Sequence, residues 1–147
     1  KTITLFISVI VLASAFKIST LAPEASIFWP FTICEKGPWT LSELLLDQHP
    51  SKNINLTAIA EDILTQLGVT STNVDFDHIN FEGKINGVST NNETLPYNAS
   101  VKSGALMGFK HVYEIPDYAP SGTYVNSYWF KGSGEQPLGC VSYTFTI

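Results

Sequence analysis

From Val74 onward the chain alternates between apolar and polar positions. Val74 and Phe76 are apolar against Asp75 and Asp77; after His78 the apolar parity moves by one residue to Ile79 and Phe81. That slip predicts a β-strand with a bulge near His78. Met107, Phe109, His111, Tyr113 and Ile115 share one face of a second strand, with Lys110 and Glu114 on the other. Tyr124 to Phe130 alternates in the same way, and Val141, Tyr143, Phe145 and Ile147 alternate with Ser142, Thr144 and Thr146. A proline-punctuated corner, Pro116 to Pro120, leads into this pair, and a Gly-rich turn, Gly132 to Gly139, joins it as a closing hairpin. Ile85 to Ser103, rich in Asn, Ser, Thr and Gly, reads as loop. Short strands punctuated by Gly, Pro and Asn predict an antiparallel sandwich or barrel.

Upstream the periodicity supports two readings. Thr40-Leu-Ser-Glu43 forms a helix capping box, yet Leu41 to Leu46 also reads as a strand between Pro38 and Pro50. Leu56, Ile59, Ala60, Ile63, Leu64 and Leu67 recur at helical spacing ahead of Gly68, while Ile54, Leu56, Ala58 and Ala60 alternate as in a half-buried strand. Between Phe16 and Phe31, Pro23 and Pro30 break any regular element, and Phe28, Trp29 and Phe31 cluster beside Cys34 as cover for the edge of a core. At the start, Lys1 precedes a charge-free run from Ile3 to Phe16 containing Ala13-Ser14-Ala15, the small-x-small pattern of a signal-peptide cleavage site. Such a run is shorter than the ~20 apolar residues that span a bilayer. We therefore expect a signal peptide over residues 1–15, a transitional segment over 16–28 and a single domain over 29–147.

Composition narrows the function classes. The formal charge of −5, with 14% charged and 12% aromatic residues, describes a chain with more apolar surface to hide than charge to display. It offers no basic face for nucleic acid, nor for electrostatic docking on anionic lipid. Two cysteines, Cys34 and Cys140, suit one structural disulfide; if bonded, they staple the ends of the domain. The sequons Asn55-Leu-Thr57, Asn92-Glu-Thr94 and Asn98-Ala-Ser100 make Asn55, Asn92 and Asn98 candidate glycosylation sites, in keeping with a secreted or luminal protein. Catalytic chemistry does not assemble. His49, His78 and His111 lack zinc-type spacing, and no GxSxG, P-loop or HExxH motif is present. His111 reads as a core or rim histidine, and Asp75 and Asp77 as a solvated face. No catalytic residue, metal or cofactor is expected. An aromatic interior is left, which is either solid or able to hold an apolar ligand. An acyl chain of about 16 carbons gains ~12 kcal/mol gross, at ~0.8 per methylene, against several kcal/mol for association.

Phe31-Thr-Ile-Cys34 near one end, with Pro120-Ser-Gly-Thr-Tyr124 and Gly139-Cys-Val-Ser-Tyr-Thr-Phe145 near the other, resemble the ML-domain lipid-recognition family. That family takes in the Niemann–Pick lysosomal sterol-transfer proteins, mite group 2 allergens and secreted phospholipid-transfer proteins. The resemblance runs from about Trp29 to Ile147 and is strongest at the ends. It implies an all-β fold: an immunoglobulin-like two-sheet antiparallel β-sandwich with an apolar cavity between the sheets. It also implies a Cys34–Cys140 disulfide, and strands at Leu41–Leu46 and Asn53–Glu61. Two further disulfides found in many members have no counterpart here.

In the family the residue after the last cysteine turns inward, which selects Val141, Tyr143 and Phe145 as lipid-lining. Antiparallel pairing then adds Tyr124, Tyr128 and Phe130, unless a bulge presents Val125 and Trp129 instead. Parity adds Phe76, Phe109 and Tyr113. Ile115 to Pro120 resembles the family's corner at the pocket mouth, with Tyr118 as gate. The implied function is a secreted or endolysosomal carrier of a sterol, fatty acid or phospholipid, monomeric and in transient contact with membranes. The alternative is a glycosylated immunoglobulin-like interaction module with a filled core that binds a protein or glycan.

Overall fold

The computed structural model describes residues 26–39, 41–63 and 72–147. The expected signal peptide, residues 16–25 of the transitional segment, and Leu64, Leu67 and Gly68 of the helical reading lie outside the described residues. Among the described residues the chain forms nine strands: β1 (Ile27–Phe28), β2 (Phe31–Glu35), β3 (Leu41–Leu46), β4 (Ile54–Ile63), β5 (Val74–Ile85), β6 (Val88–Val101), β7 (Leu106–Ile115), β8 (Thr123–Lys131) and β9 (Pro137–Thr146). They pair antiparallel in two sheets, ordered β1-β3-β4-β7 and β2-β9-β8-β5-β6, which pack face to face.

Tertiary pairing decides the contested segment. β4 pairs with β7 residue by residue, with Leu56 opposite Tyr113, Ala58 opposite His111 and Ala60 opposite Phe109. That ladder satisfies its backbone polar groups, and Leu56, Ala58 and Ala60 all join the core. Ile59, which the helical spacing would group with Leu56, lies opposite Leu45 instead. β3 likewise forms as a strand, where a capping box also fits the sequence.

The bulge falls where the parity slips, with the β5–β6 register shifting between Phe76 and His78. Phe76 and Ile79 are both buried as a result. The expected loop from Ile85 to Ser103 is corrected: residues 88–101 form β6, paired along β5. β6 is an edge strand whose outward residues face solvent, so its composition is that of a loop while its backbone is that of a strand. Its edge position also accommodates Pro96. Asn86 (φ 51°) and Gly87 (φ 81°) turn the hairpin, with Ile85 opposite Val88, as in a two-residue type I′ loop.

The closing hairpin pairs Tyr124 with Phe145, Asn126 with Tyr143 and Tyr128 with Val141. Its turn is tighter than expected: a single 3-10 turn, Ser133–Glu135, after which β9 begins at Pro137. At Gly139 (φ 133°) the Trp39 ring comes within 2.7 Å of where a Cβ would stand, so only glycine admits that ring. The Tyr124 hydroxyl donates to the Pro120 carbonyl at 2.6 Å, pinning the corner in the manner of a tyrosine corner. Cys34 and Cys140 form the disulfide, Cα to Cα 5.1 Å, across 106 residues of sequence. It joins β2 to β9, neighbours in one sheet, so the staple closes the domain without bridging the sheets.

Candidate functional site

Inward positions of β5, β7, β8 and β9 bring most of the expected lining together. Phe109 packs on Tyr128 at 4.9 Å and on Phe130 at 5.2 Å between ring centroids. Phe76 meets Phe130 at 5.8 Å, Phe81 meets Tyr113 at 5.8 Å, and Tyr143 lies against Tyr128 at 6.2 Å and Phe145 at 6.0 Å. Val141 is fully buried among them. The inward set on β8 is Tyr124, Asn126, Tyr128 and Phe130; Val125 and Trp129 are only half-buried. Tyr118 is apart from this group. It stands 85% exposed at the rim, lining a recess of about 340 Å³ with Asn91, Glu93, Val112, Tyr113, Glu114 and Pro116.

A polar chain runs through this aromatic interior. His111 Nδ1 lies 3.1 Å from the Tyr128 hydroxyl, the Tyr128 ring stacks on Tyr143, and Asn126 Nδ2 donates to the Tyr143 hydroxyl at 3.0 Å. On the other side of the imidazole, Nε2 faces the Glu93 carboxylate at 3.8 Å. A carboxylate there favours the tautomer with its proton on Nε2, which leaves Nδ1 as an acceptor. Tyr128 then donates to His111 Nδ1, and Asn126 Nδ2 donates to the Tyr143 hydroxyl. Burial holds His111 below the usual histidine range, although Glu93 pulls it upward. Burial raises Tyr128 well above the usual tyrosine value and pushes Tyr143 up to about 12, against the hydrogen bond from Asn126. The chain is therefore neutral apart from Glu93 at its outer end.

Asn126, Gly83, Asn91 and Glu93 were not singled out from sequence, though parity carried the signal. Asn126 sits between Tyr124 and Tyr128 at period two, and Gly83 continues the series Ile79, Phe81. His111 does occupy the buried, hydrogen-bonded position expected of it.

Outside the sandwich interior the polar groups pair locally. His78 lies between Asp77 (2.8 Å) and Glu135 (2.7 Å) at the surface. Asp75 accepts from Ser100 at 2.6 Å, so Asp75 and Asp77 do not act as a pair. Among the described residues, no group of three or more His, Cys, Asp or Glu side chains could hold a metal ion. No helix among them is long and apolar enough to cross a membrane. Asn55 on β4, and Asn92 and Asn98 on β6, are all exposed.

No family model and no curated protein sequence matches the chain. Among solved structures it is similar to the crystal structure of a Niemann-Pick type C2 protein from Japanese carpenter ant. That similarity has a TM-score of 0.53 and 9% sequence identity, over 81% of this chain and 99% of that one. At such identity the likeness is one of fold. The class defined is a two-sheet antiparallel β-sandwich of immunoglobulin-like form with an aromatic interior.

Proposed function

We propose that the protein is a secreted or endolysosomal carrier that holds a sterol, fatty acid or phospholipid between its two sheets. One observation carries this reading. The facing surfaces are apolar and largely aromatic, and among the described residues the sheets share no hydrogen-bond ladder and no covalent bridge. Ring packing and the His111–Tyr128 hydrogen bond oppose their separation, and an apolar chain can replace the ring-on-ring contacts with contacts of its own. Phe76, Phe109, Tyr113, Tyr128, Phe130, Val141, Tyr143 and Phe145 line the ligand, and the exposed Tyr118 marks the rim where it enters. The disulfide and the exposed sequon asparagines suit an extracellular or luminal compartment. Binding and release, rather than catalysis, is the activity.

The ring contacts that fill the interior favour a second reading, a glycosylated interaction module whose core stays closed. Titration of delipidated protein with a fluorescent sterol and a fluorescent fatty acid separates the two. Saturable binding of either supports the carrier. A folded sample that binds neither, nor a phospholipid, supports the module.

A further inference from the structure

Asn126 is fully buried, and its Oδ1 has no hydrogen-bond partner among the described residues. Leaving a buried carbonyl unmatched costs roughly as much as a lost hydrogen bond, and most such groups in proteins are matched. The other end of the amide is engaged: Nδ2 donates to the Tyr143 hydroxyl at 3.0 Å. The open end is therefore the acceptor.

The same carbonyl has room beside it. Asn91, Gly83, Asn126 and Tyr143 are neighbours across four paired strands, β6, β5, β8 and β9. Gly83 leaves a methyl-sized gap in that row. A Cβ there would lie 3.4 Å from Asn126 Oδ1, 3.5 Å from the Asn91 Cβ and 3.6 Å from the Phe81 ring. Asn91 in turn lines the recess at the rim, with Glu93 and Tyr118. The gap thus lies between an open acceptor and the mouth.

We propose that this row is a head-group subsite that takes a neutral long-chain lipid by its hydroxyl, which donates to Asn126 Oδ1. This rests on the carrier reading and narrows it. A carboxylate head brings no proton to give and meets both an acceptor and the Glu93 charge, so a fatty acid is disfavoured against the alcohol of the same chain. A methyl ether keeps the oxygen and the chain but lacks the donor.

The test is displacement of a fluorescent lipid probe from delipidated protein by hexadecanol, its methyl ether and palmitate, near neutral pH. Hexadecanol is expected to displace the probe at about tenfold lower concentration than the ether, the worth of one buried hydrogen bond, with palmitate weaker than the alcohol. Asn126→Leu removes the acceptor, and Gly83→Ala fills the gap with ordinary van der Waals contacts, so it reads the subsite even if the leucine variant does not fold. Both variants are expected to abolish the alcohol's advantage. Equal displacement by alcohol and ether, or an advantage that survives Gly83→Ala, overturns the head-group assignment while leaving the carrier standing. A folded protein that binds neither probe nor competitor overturns both.

Discussion

His111 is neutral in the folded protein because burial outweighs the pull of Glu93, whereas in the unfolded chain it titrates near 6.5. As pH falls through that value, the unfolded state takes up a proton before the folded state does. Stability conferred by His111 is thus present above about 6.5 and lost on acidification toward its depressed folded value. Protonation also turns Nδ1 into a donor, reversing the bond it accepts from Tyr128. Chemical denaturation at about pH 7.5 and about pH 5 should show a drop in stability at the lower pH that shrinks in His111→Gln. Equal losses in both proteins would rule out His111 as its source. Tyr128→Phe leaves His111 Nδ1 unmatched in the core, and is expected to cost ~1–3 kcal/mol in urea titrations. The hydrophobic parity that made Tyr128 and Tyr143 legible from sequence could not show this chain. It depends on which residues of four different strands meet.

At the scale of elements, the β5–β6 hairpin holds the recess wall in place. Its turn is tied to the start of β8 by Asn86, whose side chain accepts from the Thr123 backbone N–H at 2.9 Å. Gly87→Val puts a β-branched residue at φ 81° and is expected to cost ~1–2 kcal/mol, with faster hydrogen exchange in β5 and β6 than in β9. No change in exchange would mean the turn does not set the hairpin. β6 was the element least legible in the sequence. An edge strand shows solvent many of its side chains, so Asn, Ser and Thr dominate and the alternation fades. The Asn86-Gly87 pair was nevertheless the local signal of a tight hairpin. β4 was ambiguous for another reason. Its apolar residues satisfy both periods, and only pairing with β3 and β7 selects one.

For the whole molecule, the readable features were those at the two ends. The cysteine segments and closing hairpin carried the resemblance, and the observed disulfide joins the strands they lie on. The relation between the sheets was not readable, since it depends on side chains from both. Because the staple lies within one sheet, reducing it should destabilise the fold globally. The expected loss is ~4–5 kcal/mol in the chain-entropy model, measured as the change in urea unfolding free energy with and without reductant. A change under ~1 kcal/mol would show that the unfolded chain gains little freedom when the link is cut.

The central claim is that lipid lies between the sheets. Its most direct test is paramagnetic broadening of side-chain methyl signals by a bound lipid labelled with a nitroxide near the end of its chain. The account predicts that, at saturation, Leu56, Ala58 and Val141 broaden strongly while the exposed Val88 is spared. Broadening confined to exposed residues, with the three interior methyls untouched, would contradict it.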